Sequence, residues 1–340
     1  LLLGQRKVIS NDLRQSYVKA GAIQILAISG LHIGILLMLL MFVFKPLHQF
    51  KHGKLIALFF VIVFLWLYAI LSGLSASVVR ASTMFTAVAL GLSFNRPTNV
   101  YNTLVISIFF LLLIHPYYLF DVGFQLSYIA VFSIVWLQPK ISALFLPSYW
   151  LTKKVWQLFT VSIAAQIGVL PLSLYYFHQF PGLFFLSNLI IIPFLGMILI
   201  GGFTLIFFSL IDMLPQLYGR YYRFIITEMN QFVSWISEQD FFIIQHISYS
   251  NLLMLASYSL IITTVIWIEK KNFFRLLPLL ISIMTIQGVF IWEKQQLLSK
   301  KEFIVFNKSR EFLTGIRYGS ELVIRTSIHS VNRKEPSLNS

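Results

Sequence analysis

From Val155 to Ile211 the chain runs 57 residues without one Asp, Glu, Lys or Arg. That is nearly three times the roughly 20 apolar residues that carry a helix across a bilayer. A soluble domain has no way to bury such a segment. A β-barrel does not fit these runs, because its strands alternate polar and apolar residues whereas the runs are continuous. Composition agrees. Of 340 residues, 58% are hydrophobic and 11% charged, against roughly 25% charged in an average soluble domain. There is no cysteine, so disulfides, thiolate metal sites and cysteine nucleophiles drop out.

Between Leu13 and Ile211 stands one carboxylate, Asp121, beside ten Lys or Arg. Cation and proton pathways are built from buried Asp and Glu, so this core suits an anion better. The basic residues in turns also read simply as marks of cytoplasmic loops. Arg80, inside a span, fits that reading less well.

Runs at 20–44, 55–79, 77–94, 100–114 and 121–137 predict five helical spans. The 155–211 run needs more than one. Pro171 and the turn residues His178 to Gly182 divide it once. Pro193 and Gly201-Gly202 divide 183–211 again, into two short spans or a re-entrant pair. Residues 221–245 mix aromatics with Arg223, Glu228, Glu238 and Asp240, which predicts one or two amphipathic helices at the interface. Runs at 251–268 and 276–292 follow. The fold expected is an all-α polytopic membrane protein of about 9–10 transmembrane helices, with broken or re-entrant segments and a short β-rich tail.

The turns at 45–54, 96 and 140–154 hold seven positive charges and should be cytoplasmic, as should the basic turn at 270–275. That count requires the chain to leave the 183–211 segment outside, and it puts the tail outside. Residues 1–293 read as the membrane domain and 294–340 as a short soluble tail, the start or remnant of a further domain. Strands are expected at 303–306 and 321–325, separated by Gly315 and Gly319. The first residue is Leu, and the chain reads as starting mid-sequence.

Three polar clusters interrupt the spans. In the first, Gly30 and Gly34 make a small-xxx-small pair for close helix packing. Ser29 and His32 share a face there, either lining a path or forming a nucleophile pair; no third orienting group stands nearby. In the second, Gly73, Ser77 and Ala81 recur every four residues as a packing seam, and Arg80 offers either an ion pair with Asp121 or a fixed site for phosphates. In the third, Asp121, Gln125 and Tyr128 stack at i, i+4 and i+7, with Asp121 also placed to cap a helix. Gln166 and Asn188 add polar groups to later spans. The seven histidines form no metal spacing, and there is no Walker loop or GxGxxG, so neither a metal nor a nucleotide cofactor is expected.

Six ordered blocks carry a resemblance. They are residues 2–6 (LLGQR), 27–34 (AISGLHIG), 72–81 (SGLSASVVRA), 120–128 (FDVGFQLSY), Gln166 with 170–173 (LPLS), and 177–181 (FHQFP) with Asn188 and Pro193. Together they resemble the competence domain of the ComEC family over roughly residues 1–210, and more loosely to about 300. The resemblance implies a channel, not an enzyme, that conducts single-stranded DNA through the bacterial inner membrane during natural transformation. It implies membrane lipid and other competence proteins as partners, and leaves the oligomeric state open. Ser29, His32, Arg80, Asp121, Gln125, Gln166 and Asn188 are the expected polar pathway; Gly30, Gly34, Gly73 and Ser77 are the expected packing residues. The OB-fold portion and the HxHxDH nuclease motif of full-length relatives are not within these residues. Gln24, Ala76 and His115 stand where many relatives have His, Pro and Asp. An intramembrane hydrolase using Ser29 and His32, or a transporter for a small anion or lipid, remain the competing classes.

Overall fold

The structure is a computed structural model, and it describes residues 16–17, 30–93, 99–213, 215–239, 243–244, 247–299, 301–308, 311–319 and 321–326. The chain forms two compact units, Leu1–Gln245 and His246–Ser340. The last helical hairpin thus groups with the C-terminal strands.

The apolar runs become helices because the bilayer core offers no water to backbone N–H and C=O groups, which must pair within their own segment. In the first unit these are α1 (Gly30–Phe44), α2 (Gly53–Leu71), α3 (Ala76–Ser93), α4 (Val100–Ile114), α5 (Val122–Ser142), α6 (Trp150–Phe177), α7 (Phe184–Leu210) and α8 (Gln216–Ser237). In the second they are α9 (Asn251–Glu269) and α10 (Phe273–Ser299). Seven of the described helices are long and apolar enough to cross a membrane, and α3 and α4 are shorter apolar helices. The protein is an all-α, multi-pass membrane protein.

Local chemistry sets the boundaries. Asn99 caps α4 by accepting from Tyr101 N at 2.9 Å, and His115-Pro116 ends it. Asp121 caps α5 by accepting from Phe124 N at 2.7 Å. Ser250 caps α9 through Leu253 N at 3.1 Å. Each satisfies a donor that the first turn leaves without an intrahelical partner.

Of the two breaks expected within 155–211, the turn at 178–182 is present and the one inside 183–211 is not. Pro171 lies inside the continuous α6, and the turn comes at His178, whose φ is 54°. Residues 184–210 form one helix through Pro193, not two short spans or a re-entrant pair. Among packed helices, neighbouring groups and local adjustment compensate a proline's missing donor. Gly201 is a seat and not a hinge. A Cβ there would lie 3.3 Å from the Tyr222 ring, and Gly201 O accepts from Tyr218 Oη at 3.0 Å. Gly73 also departs from expectation. It occupies the α2–α3 turn at φ +84° with nothing within 4 Å of a Cβ, so it shapes a turn and packs no helix. Ser77, half-buried on α3, places its Oγ 3.3 Å from Ser75 Oγ.

Close approaches hold the first unit together. A Cβ at Gly30 would lie 3.8 Å from Ala81 Cβ, and one at Gly34 3.1 Å from the Phe85 ring, so α1 rests on α3 through both glycines. Trp66 Nε1 donates to Thr86 Oγ1 at 3.2 Å, tying α2 to the same helix. Between α5 and α6, a Cβ at Gly168 would overlap the Ser133 side chain and lie 3.4 Å from Ile129 O. A two-residue antiparallel ladder pairs β1 (Phe180–Pro181) with β2 (Ile243–Ile244).

In the second unit α9 and α10 pack as a hairpin, with Thr263 Oγ1 and Ser282 Oγ 2.9 Å apart. An antiparallel meander follows, β3 (Lys301–Lys308), β4 (Glu311–Tyr318) and β5 (Glu321–Thr326). Gly315 lies within β4, where it pairs with Ile304 and Ile324, and does not separate strands. Gly319, at φ +62°, makes the β4–β5 turn.

Gly168→Val should separate α5 from α6 and destabilise the detergent-solubilised protein by about 1–3 kcal/mol, the usual cost of overpacking. Gly196→Ala, where a Cβ would have only Ile35 Cδ1 at 4.0 Å, should be near neutral. Comparing the two in an SDS-titration unfolding curve checks this.

Candidate functional site

Arg80 is 3% exposed and sits on α3 among apolar neighbours. A charge at such depth costs about 2.5–3.5 kcal/mol on insertion scales unless its surroundings answer it. Two groups do so here, both on α5. Arg80 Nη1 donates to Gly123 O at 3.4 Å, and the guanidinium lies 5.4 Å from the centroid of the Tyr128 ring. The negative face of an aromatic ring attracts a cation, most strongly where water is excluded.

Tyr128 is itself fixed from two sides. Its hydroxyl is 2.8 Å from Ser107 Oγ on α4. Ser107 gives its one proton to Leu104 O at 2.8 Å, so Tyr128 is the donor of the pair. The Phe124 ring packs 4.6 Å away, centroid to centroid. Phe124, Tyr128, Leu104 and Leu111 form one buried cluster, with Val79 and Met84 of α3 against it.

Asp121 is exposed, and its described role is the cap on α5. It forms no ion pair with Arg80 within the described contacts; both groups serve the same helix start. Asp121 places negative charge at the N-terminus of α5, where the helix dipole is positive and would otherwise oppose a nearby cation. Gln125, one turn on, accepts from Tyr176 Oη of α6 at 3.0 Å and donates to Leu119 O at 2.8 Å. The first two turns of α5 therefore tie α3, α4, α6 and the 116–120 turn into one polar node.

The other sequence candidates are spread more widely. His32 is 2% exposed on α1, two residues and about half a turn from Gly30. Gln166 is half-buried on α6, one turn from Ser162, and Asn188 is half-buried on α7. Ser82 Oγ and Ser162 Oγ are buried without a hydrogen-bond partner among the described residues. Ser29 lies outside the described residues. Arg80, Asp121 and Gln125 are brought together, and no described contact joins His32, Gln166 or Asn188 to them. Ser107 and Tyr176 were not singled out in the sequence. A single polar residue within the apolar run 104–114 was the available signal for Ser107.

The pairing of Arg80 with Tyr128 predicts an ordered series. Tyr128→Phe keeps the ring and should cost about 1 kcal/mol for the lost hydrogen bond. Tyr128→Leu should cost roughly 1–2 kcal/mol more, for the lost ring face. In an Arg80→Met background the gap between the two should shrink, and double-mutant cycles on detergent unfolding would measure it.

A family model described as "Competence protein" matches residues 1–271. ComE operon protein 3 of Bacillus subtilis is 30% identical over 279 residues, which is 82% of this chain and 35% of that protein. The chain thus spans about a third of the length of that relative. No solved structure matches.

Proposed function

The chain belongs to the competence protein family, of the ComEC type, and on that premise we propose that it forms an inner-membrane conduit carrying single-stranded DNA into the cytoplasm during natural transformation. The observation that carries this reading is a buried Arg80 in a region with a single carboxylate from Leu13 to Ile211. Such a region repels a polyanion little, and a guanidinium can engage phosphate through paired hydrogen bonds. Arg80 is only moderately held, by one 3.4 Å contact and one ring, so phosphate oxygens can compete for it.

Ser29, His32, Asp121, Gln125, Gln166 and Asn188 are the further polar groups of the proposed path. Asp121 and Gln125 act by positioning α5 and hence the Arg80 site. Gly30 and Gly34 set how closely α1 and α3 approach. DNA, membrane lipid and other competence proteins are the proposed partners.

Arg80→Gln should lower transformation of a naturally competent host at least about tenfold, with protein level in the membrane retained; that corresponds to about 1.4 kcal/mol in the rate-limiting passage. Arg80→Lys should recover part of the loss, since it keeps charge but not the fork. Uptake of labelled DNA that stays unchanged in Arg80→Gln would count against the reading.

A further inference from the structure

Helix α8 carries charge along its length, and its contacts say where it stands. It runs antiparallel to α7. Tyr218 Oη donates to Gly201 O at 3.0 Å, and Tyr222 Oη to Ile198 O at 3.1 Å. Met229, Val233 and Ile236 share one buried cluster with Ile191, Leu195, Ile198 and Leu199. The segment 184–206 is charge-free and of spanning length. Beyond α8, Ile244 pairs with Phe180 in the turn that precedes α7. The chain leaves that level along α7 and is back at it after α8. An amphipathic helix lying flat on one membrane surface cannot make this return.

Upright at membrane depth, α8 has a face that lipid cannot cover. Arg220, Arg223, Thr227, Gln231, Ser234 and Glu238 follow one another at spacings of three or four, which stacks them in one stripe opposite the buried side. All are exposed except half-buried Ser234. The second half of α8 presents an open surface bordered by Thr227, Gln231, Ser234, Trp235 and Glu238. Arg220 and Arg223 lie in the first two turns of α8 and can reach the surface with their long side chains, whereas Thr227 and Gln231 lie mid-helix, where a wetted face would serve them.

We propose that α8 is an upright wall of the conduit and that its polar stripe contacts the passing single strand. The proposal rests on the reading given under Proposed function. The stripe matches that cargo in chemistry. Arg220 and Arg223 can hold phosphates at one end of the stripe while Glu238 repels them at the other, Trp235 offers a face on which any base can stack, and the hydroxyl and amide groups between them tolerate any sequence. A second copy of the chain is a poorer occupant. Two copies in one membrane share orientation, so a two-fold axis would run along the membrane normal. It would set Arg220 and Arg223 against the same residues of the other copy at the same depth, with like charges opposed. Counting α8 as a crossing also explains the sequence charge. It supplies the second passage that the basic turn at 270–275 demands, which the unbroken α7 does not.

The absence of cysteine from the chain makes the test direct. Single cysteines at Thr227, Gln231 and Ser234 should react with a membrane-impermeant charged thiol reagent about tenfold faster than cysteines at the lipid-facing Met197 and Ile200 of α7, because only a wetted thiol ionises readily. An oligothymidine of about 20 nucleotides should then slow the reaction at Gln231→Cys several-fold, and the matching duplex should not. A stripe as unreactive as Met197→Cys would overturn the upright wall. So would disulfide-linked dimers forming through Thr227→Cys, which would identify a second copy as the occupant. A reactive stripe that oligothymidine fails to protect would overturn the contact with the strand. These readouts do not depend on transformation. A dry stripe beside an uptake defect in Arg80→Gln would remove this wall and leave the conduit; normal uptake in Arg80→Gln beside a wet, protected stripe would do the reverse for the Arg80 site.

Discussion

A buried guanidinium with almost no carboxylates around it is the constraint on which the first unit turns. Among the described residues Arg80 has no salt bridge, and the one carboxylate from Leu13 to Ile211 lies at an exposed helix start. Weaker groups answer it instead: a carbonyl oxygen, an aromatic face and the capped end of α5. Each of these requires something of its own element. Tyr128 must be oriented, so Ser107 of α4 accepts from it; Gln125 must anchor the same turn, so Tyr176 of α6 donates to it. The result joins α4 and α6 to α5 through neutral hydrogen bonds and α3 to α5 through the guanidinium itself. It also leaves the positive charge less fully answered than a carboxylate would, which is useful in a site for phosphate.

Packing in the bundle follows from the same solvent. Lipid tails are as apolar as the side chains that meet them, so close contact and interhelical hydrogen bonds do most of the joining. Gly30 and Gly34 let α1 settle on α3, Gly168 admits Ser133, and Gly201 seats two tyrosines of α8 whose hydroxyls reach backbone carbonyls of α7. Glycine at these points provides the space that a Cβ would fill. At Gly73 the residue serves a different need, a backbone with positive φ between α2 and α3.

Features with a local cause were legible in the sequence. Charge-free runs marked the helices, Asp121 marked the start of α5, and the isolated Arg80 marked itself as costly. The differences have non-local causes. Pro171 and Pro193 look like helix breakers by residue type, yet surrounding helices keep α6 and α7 continuous. Gly315 looks like a strand end and instead lies mid-strand with a partner on each side. The amphipathic pattern of α8 is equally compatible with lying flat or standing up. The proposal that it stands upright rests on two non-local features, the pairing of Phe180 with Ile244 and the packing of Tyr218 and Tyr222 on α7. Gly168 carried no periodic signal at all, because its partner Ser133 is on another helix.

Passage of a single strand is the central claim, and it can be measured in isolation. Vesicles bearing the full chain would be given an end-labelled single strand, or the matching duplex, on the outside, with a complementary strand trapped within. External nuclease would then remove whatever had not entered. The account predicts nuclease-protected label from the single strand in wild-type vesicles, a clear reduction with Arg80→Gln, and none from the duplex. Protection no greater than in protein-free vesicles, or equal for single strand and duplex, would contradict it.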